Sequence, residues 1–171
     1  MDIAIGTSKG VFILDEKKPV NVLQSRGVRE LICAGNRMFA GTGDGLYASD
    51  DGGRTWVLAG LEGMQVWQVR QAGEQVLYAG TAPTGLFKSV DNGAAWTHLE
   101  SLANLAEANG WCIPLDPPIP ASARALVVDG DRLWVGVEVG GIAVSEDAGA
   151  TWSMVLPGDN PDLHMMFAHP T

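Results

Sequence analysis

Short apolar runs separated by turn-forming residues dominate the pattern of the chain, and this pattern predicts an all-β fold. Runs such as RMFAGT at 37–42 and VLYAGT at 76–81 have the length of strands and are shorter than most helices. Around the first of these runs, the pattern divides into four strands at 28–34, 37–42, 45–49 and 55–59. With 22 glycines and 9 prolines among 171 residues, the chain turns often. We therefore expect each unit to fold as a four-stranded antiparallel sheet.

An octapeptide of the form Ser-x-Asp-x-Gly-x-x-Trp occurs three times and joins the last two strands of three units. It reads SDDGGRTW at 49–56, SVDNGAAW at 89–96 and SEDAGATW at 145–152. In such a hairpin, the Asp and Ser oxygens can accept backbone N–H groups and the glycine permits a positive φ. The tryptophan can pack between neighbouring sheets. The repeated residues are therefore predicted to be structural: Ser49, Asp51, Gly53, Trp56, Ser89, Asp91, Gly93, Trp96, Ser145, Asp147, Gly149 and Trp152.

A second signature, in which a Gly-Thr or Gly-Val pair is followed by a turn and an apolar residue, precedes each octapeptide. It begins at Gly41, Gly80 and Gly136, and a fourth copy begins at Gly6, where the octapeptide that follows has decayed to LDEKKPVN. Units of about 40 residues that each contain several short strands are typical of the blades of a β-propeller.

The three octapeptides resemble the Asp-box, or bacterial neuraminidase repeat, and the chain is similar to sialidase-like β-propellers of the Asp-box class. The similarity covers residues 1–170 apart from an insertion near 100–120. It implies a β-propeller of four-stranded antiparallel blades, with about four blades in this chain. Asp-box propellers usually have six to eight blades. The alternatives are a closed four-bladed ring, part of a larger ring, or half of a ring that a second copy completes, and we favour the last two.

The repeats also predict how the domain is divided. The first unit lacks a first strand, and the tail PDLHMMFAHP aligns with the first strands of the other units, so the tail is expected to supply that strand and tie the termini together. Blade edges left open would favour a homo-oligomer. The predicted single propeller at 1–171 contains blade 1 at 2–25 plus the strand at 162–170, blade 2 at 28–60, blade 3 at 64–99, the insertion at 100–120 and blade 4 at 121–156.

Composition narrows the choice of partners. The formal net charge of −9 argues against nucleic acid and anionic membranes, which attract cationic surfaces. No apolar run is long enough to span a bilayer, and the start MDIAIGTSKG does not look like a signal peptide. We expect a cytoplasmic protein, or a secreted one if its N-terminus has been trimmed. Two cysteines, Cys33 and Cys112, predict neither a disulfide framework nor a metal site, and no cofactor is expected.

The first strands carry the candidate ligand-binding residues. When these strands are aligned, one column holds Arg29, Trp67, Arg124 and His164. The column lies where the first strands begin, at the mouth of the central channel on the face opposite the octapeptide loops. Two guanidiniums, an indole and an imidazole could bind a carboxylate or a sugar there. The alternative is that they fill the channel and pair with local carboxylates such as Glu30.

The insertion joins blades 3 and 4 and is expected on the same face. SLANLAEAN at 101–109 predicts a short helix with Ser101 as its cap. The rigid segment GWCIPLDPPIP at 110–120 is predicted to place Trp111 over the mouth as a lid. An ordinary surface elaboration is the alternative.

No complete catalytic set is visible. Sialidase chemistry needs three arginines, a tyrosine nucleophile and acidic partners, whereas Tyr47 and Tyr78 occupy apolar positions of the blades and the Phe-Arg-Ile-Pro segment is absent. The carboxylate pair Glu138 and Asp162 could serve a glycosidase across the mouth. The leading interpretation is a non-catalytic binding or assembly scaffold whose partner is a protein, a glycan or a small anionic ligand, with a glycoside hydrolase as the alternative.

Overall fold

Four antiparallel sheets follow one another along the chain in the computed structural model, which describes residues 3–15, 18–156 and 163–169. The first sheet has three strands in order, and the second has four. The strands of the first sheet are β1 (Ile3–Thr7), β2 (Gly10–Asp15) and β3 (Lys18–Leu23). Those of the second are β4 (Val28–Ala34), β5 (Arg37–Thr42), β6 (Leu46–Ser49) and β7 (Val57–Gly60).

The third and fourth sheets repeat the four-stranded order and flank the insertion. The third sheet contains β8 (Gln65–Gln71), β9 (Leu77–Ala82), β10 (Gly85–Ser89) and β11 (Thr97–His98). The insertion forms helix α1 (Glu100–Ala108) and the hairpin of β12 (Cys112–Ile113) and β13 (Ile119–Pro120). The fourth sheet contains β14 (Ala123–Asp129), β15 (Arg132–Val137), β16 (Gly141–Ser145) and β17 (Ser153–Leu156). The expected all-β architecture of four-stranded antiparallel sheets is confirmed.

Successive sheets pack on one another through their first strands, so that β4 contacts β8 and β8 contacts β14. The glycine that opens each Gly-Thr signature lies at these junctions. A Cβ on Gly41 would lie 2.9 Å from the carbonyl oxygen of Val66, and a Cβ on Gly80 would lie 2.7 Å from that of Ala123. Because backbone of the next sheet occupies that space, only glycine fits, which explains why the signature recurs.

Three clusters of buried apolar side chains lie between neighbouring sheets. Phe39 and Leu77 belong to the cluster between the second and third sheets, and Tyr78 and Leu133 belong to the one between the third and fourth. Tyr78 is only 1% exposed. Tyr78 is therefore a packing residue, as expected from the apolar blade position that it occupies in the sequence.

The octapeptide loops share one set of hydrogen bonds. In the first loop, Ser49 Oγ donates to Asp51 Oδ1 at 2.8 Å and accepts from the backbone N–H of Gly53 at 2.9 Å. The same two bonds recur at Ser89 and Ser145, each with distances of 2.8 Å. Every loop thus satisfies its own buried hydroxyl and the N–H of its glycine.

The tryptophan of each loop packs toward the preceding sheet. A Cβ on Gly60, the last residue of β7, would lie 2.9 Å from Trp96 Cδ1. Trp152 Nε1 donates to Ser101 Oγ at 2.9 Å, and Ser101 Oγ donates to the carbonyl of Gly149 at 2.5 Å. The prediction that Ser101 caps the helix is wrong: α1 begins one residue earlier, after Leu99, and has no side-chain cap.

The tail and the first sheet are not joined within the described residues. Residues 163–169 form no strand, whereas β1 pairs with β2. Met166 lies against Gly136 of β15, because a Cβ on that glycine would be 3.3 Å from Met166 Cε. Closure of the first sheet by the tail therefore stays a prediction.

Within the described residues, no helix combines the length and the apolar character that crossing a membrane requires.

Candidate binding cleft

Three residues of the predicted column lie at equivalent irregularities of the first strands. Around Arg29, the pairing of β4 with β5 shifts between Val28 and Glu30, which leaves Arg29 as an extra residue. The same shift occurs around Trp67 in β8 and around Arg124 in β14. Such β-bulges turn a side chain out of the regular alternation of a strand. Each bulge therefore directs one large side chain away from its own ladder.

These side chains form a stack. The guanidinium carbon of Arg29 lies 4.3 Å from the centre of the Trp67 ring, and that of Arg124 also lies 4.3 Å from it. Since β8 lies between β4 and β14, the two guanidiniums flank the indole. Both distances are well within the range of a cation–π interaction. The stack places one positive charge on each side of the Trp67 ring.

The carboxylate of Glu138 neutralises one of these charges. One oxygen of Glu138 accepts from Arg124 Nη1, and the other accepts from Ser122 Oγ at 3.1 Å. The backbone N–H of Glu138 also donates to the carbonyl of Ser122 at 3.0 Å. Arg29 makes no ion pair with any described residue and is exposed. The stack with Glu138 thus retains about one net positive charge, centred on Arg29.

A second layer of polar side chains links the same strands one residue further along. Glu30 Oε2 accepts from the backbone N–H of Val69 at 2.6 Å, and Gln68 Oε1 accepts from that of Leu126 at 2.7 Å. Arg70 Nη1 donates to Glu30 Oε1 at 2.6 Å. Glu30 therefore pairs with Arg70. The alternative expectation, that the column pairs with local carboxylates such as Glu30, does not hold for Glu30, but Arg124 does pair with a local carboxylate, that of Glu138.

Trp67 and Arg124 of the stack line a cleft of about 430 Å³, whereas Arg29 lies outside it. One wall is polar and contains Trp67, Arg124 and Glu138, whereas the opposite wall is apolar and comes from the insertion and from the turn between β9 and β10. The apolar wall contains Ala82, Pro83, Ile113, Ile119 and Pro120. Trp67 Nε1 is buried without a hydrogen-bond partner among the described residues. The cleft therefore combines an indole, one arginine that Glu138 neutralises, and an aliphatic surface.

Trp111 occupies a different place from the lid position expected for it. It packs against the core of the third and fourth sheets, and a Cβ on Gly140 would lie 3.0 Å from its Cδ2. It lines a second cavity of about 470 Å³ behind the β12–β13 hairpin, together with Cys112 and the buried hydroxyl of Thr84. The hairpin itself, through Ile113 and Ile119, reaches the cleft.

Two predicted residues fall outside the stack. His164 lies in the tail and is exposed. Asp162 lies outside the described residues, so the predicted carboxylate pair with Glu138 stays a prediction. Among the described residues, no group of three or more His, Cys, Asp and Glu side chains is arranged to hold a metal ion.

Sequence reasoning missed the remaining members of the cleft. Ser122 lies two residues before Arg124, at the start of the aligned strand, but a lone serine there carries no signal of its own. Ile113 and Ile119 carry no repeat signal, because the insertion occurs once. Their position depends on how the hairpin folds back over the third sheet.

Neither a known protein family nor a curated protein matches the sequence. Several solved structures do match in shape. The extracellular domain of the one component system BT4673 from B. thetaiotaomicron superposes with a TM-score of 0.70 at 15% identity, over 98% of this chain and 23% of that chain. The GH74 xyloglucanase from Xanthomonas campestris gives 0.66 at 19% identity, over 93% and 29%. These are β-propeller proteins.

The chain has the β-propeller fold. A third structure, YCF48 bound to D1 peptide, superposes with a TM-score of 0.56 at 19% identity, over 80% of this chain and 43% of that chain. The chain therefore spans less than half the length of each of these propeller structures. At such low identity the likeness concerns the fold, and the four sheets are its blades.

Proposed function

We propose that this chain is a binding scaffold that holds an anionic group of a protein partner at Arg29, with an apolar side chain of that partner in the neighbouring cleft. The observation that carries this proposal is the Arg29–Trp67–Arg124 stack beside an aliphatic wall. Binding sites of this kind are typically concave and mostly apolar, with a few convergent polar groups that fix orientation. Guanidinium groups bind carboxylates strongly because their N–H groups match the two oxygens.

The charges of the stack favour a ligand with one negative charge. Arg124 is already neutralised by Glu138, which leaves Arg29 to bind an anion. The protein as a whole carries a net charge of −9, which repels acidic partners at long range. The selection of an acidic group therefore depends on direct contact with the Arg29 guanidinium.

The stack also disfavours a glycan ligand. Sugars bind aromatic residues by lying against a free ring face, whereas both faces of Trp67 are covered by guanidiniums. The opposite wall supplies proline and isoleucine side chains, which suit an apolar peptide side chain. The neighbour YCF48 is bound to D1 peptide, and this supports a peptide as the ligand class without identifying it.

The propeller is further proposed to belong to the Asp-box class. The support is the repeated pair of hydrogen bonds from the serine hydroxyl to the aspartate and from the glycine N–H to that hydroxyl. The glycoside hydrolase alternative gains no specific support, since both oxygens of Glu138 are hydrogen-bonded and Asp162 is not described. A cytoplasmic location stays a prediction.

A random peptide library displayed on an array would test the binding function. We expect the protein to select peptides that contain Asp, Glu or a free C-terminal carboxylate next to an aliphatic residue. Arg29→Gln should weaken binding of the selected peptides at least tenfold, because it removes the available guanidinium.

The matched control is Arg132→Gln. Arg132 also stacks on a tryptophan, with its guanidinium carbon 4.7 Å from the Trp134 ring centre, but it pairs with Glu146 of an octapeptide loop on the opposite face. This variant should bind like the unaltered protein. Equal losses in both variants, no selected peptides at all, or binding of xyloglucan oligosaccharides in their place would overturn the proposal.

A further inference from the structure

The edge of β1 is the one place where a blade of the described chain lacks its first strand. β1 corresponds to β5, β9 and β15, which are the second strands of the other blades and pair on both sides. Ile3 and Ile5 of β1 are 46% and 38% exposed. Gly6 is exposed as well, although the equivalent Gly41 and Gly80 are buried. An open edge with apolar side chains is a template for strand addition.

The tail carries a segment with the features of a first strand. Met166 falls in the same column as Leu31, and both approach the signature glycine of the preceding blade. A Cβ on Gly136 would lie 3.3 Å from Met166 Cε, and a Cβ on Gly6 would lie 3.6 Å from Leu31 Cδ1. Met166 therefore contacts the fourth blade near the position that a first strand of a following blade would occupy. The signature glycines at 6, 41 and 80 approach most closely the residue one position before the column, namely Val28, Val66 and Ala123.

The opposite side of this segment is uncovered. Met165 and Phe167 are 74% and 80% exposed. In the second and third blades, the side chains in the column of Met165 are Glu30 and Gln68, which reach the first strand of the next blade. Met165 and Phe167 thus present an apolar surface where another blade would be expected to pack.

The open edge and the tail lie at opposite ends of one row of blades. The contacts run from β1 to β4, from β4 to β8, from β8 to β14, and then to Met166. The two surfaces are different and complementary, which is the arrangement of a head-to-tail interface between identical chains.

We propose that residues 163–169 of one copy add to β1 of a second copy as the missing first strand of its first blade. The occupant of the edge is thus a second copy of this chain. The new ladder joins the backbone of the two copies, and Met165 and Phe167 become covered by β4 of the receiving copy. The added strand does not use the cleft, but the alignment puts its His164 in the column next to Arg29 of the receiving copy. The test below therefore measures a cross-link between the chains and not peptide binding.

The other blades fix the register of the added strand. Leu31 pairs with Ala40, Val69 with Ala79 and Leu126 with Val135. By the same alignment, Met166 pairs with Ile5 of the second copy. Directly opposed residues of an antiparallel ladder have Cα atoms about 4.5–5.5 Å apart, which suits a disulfide.

Disulfide formation between two differently substituted chains tests both the register and the source of the strand. Both chains carry Cys33→Ser and Cys112→Ser. One also carries Ile5→Cys and the other Met166→Cys, and they are mixed under mild oxidation and separated on a non-reducing gel. We expect a covalent heterodimer. A mixture of Ile5→Cys with Phe167→Cys, one residue out of register, should give at least fivefold less covalent heterodimer.

Two further outcomes would overturn the proposal. One is a single chain carrying both Ile5→Cys and Met166→Cys that closes on itself while the mixed chains do not join, since the tail would then occupy its own β1. The other is the absence of any cross-link together with a monomeric mass by light scattering. As a second readout, Phe167→Asp should weaken self-association at least tenfold, whereas Val155→Asp should not. Val155 is a comparable control because it is 58% exposed on the last strand of the fourth blade.

Discussion

The two faces of this propeller use their charged side chains in different ways. On one face, the octapeptide loops hold Asp51, Asp91 and Asp147 through hydrogen bonds that begin and end within each loop. On the other face, Arg29 and Arg124 reach across blades to a single indole, and Arg29 is left without an acidic partner among the described residues. The first face therefore uses its charges to hold turns. The second face leaves the charge of Arg29 available to a ligand.

The difference shows how repetition and function separate in a repeat protein. The aspartates recur because every blade needs the same turn, and their pKa values fall below the ordinary range for the same local reasons. The Thr151 hydroxyl is the largest cause for Asp147, whose pKa is lowered to about 2, and the Thr55 hydroxyl is the largest cause for Asp51. Arg29, Trp67 and Arg124 share a position, but the middle blade has a tryptophan where its two neighbours have arginine. Variation at a structurally equivalent position is what allows one cleft to form in an otherwise repetitive fold.

The largest expected effect comes from the octapeptide face. Gly93 has a φ of +79° and its Cβ would lie 2.6 Å from Phe39 Cε1 in the core. Gly93→Ala should lower the free energy of unfolding by about 2–4 kcal/mol, because it adds backbone strain and overpacking. Urea unfolding followed by circular dichroism measures this.

Gly35→Ala is the control for the strain alone. Gly35 also has a positive φ, of +62°, but nothing lies within 4 Å of its Cβ position. Gly35→Ala should lower the free energy of unfolding by about 1 kcal/mol. Equal losses at the two glycines would show that the octapeptide loop does not pack tightly on the neighbouring blade.

Ser89→Ala should have the next largest effect on stability. The hydroxyl is 1% exposed, and its removal leaves the N–H of Gly93 without an acceptor. We expect the unfolding free energy to fall by about 1–3 kcal/mol, with peptide affinity unchanged in the folded protein. A variant that is as stable as the unaltered chain but loses peptide binding would contradict the division between the two faces.

Arg29→Gln should show the reverse pattern. An exposed cation–π contact contributes only about 0.5–1 kcal/mol, so the loss of stability should stay near that value while peptide binding falls at least tenfold. Unfolding and binding measured on the same preparation decide the matter. A loss of stability comparable to that of Ser89→Ala would make Arg29 a packing residue.

The smallest effect concerns acid stability. Because the pKa of Asp147 is held at about 2, below its ordinary 3.8, the loop stabilises the folded state above roughly pH 4. This contribution is lost as the pH falls toward 2. Thr151→Val removes the hydroxyl that is the largest cause of the shift. The midpoint of acid unfolding should therefore move to higher pH.

The third-blade loop provides the opposite change. Asp91 has an alanine, Ala95, where the other loops have threonine, and the backbone N–H of Ala95 is the largest cause of its lowered pKa. Ala95→Thr should move the acid midpoint to lower pH. If the two substitutions shift the midpoint in the same direction, the threonine hydroxyls do not act through the aspartates.

Sequence patterns predicted the strands well and the cleft only in part. The expected strands at 28–34 and 37–42 coincide with β4 and β5, because short apolar runs between turn residues translate directly into hairpins. The alignment also put Arg29, Trp67 and Arg124 in one column. It could not reveal the bulges that turn these side chains toward each other, since a bulge is a property of the pairing between strands and not of one strand.

The structure of the insertion was harder to predict from the sequence than that of the blades. Apolar spacing predicted a helix, and α1 has nearly the expected bounds. The cap at Ser101 and the lid position of Trp111 were not found, because both depend on contacts with the fourth blade. Ser101 bonds to Gly149, 48 positions away in sequence, and no local pattern encodes such a partner.

Glu30 and Gln68 also determine the order in which the blades can come apart. Each ties its own first strand to an amide of the next, at Val69 and at Leu126, so the second, third and fourth blades should exchange their axial amide protons slowly and together. Ala125 occupies the same column in the fourth blade and has no side-chain acceptor. We therefore expect the contact between the tail and the fourth blade to open more easily than the two junctions that Glu30 and Gln68 tie.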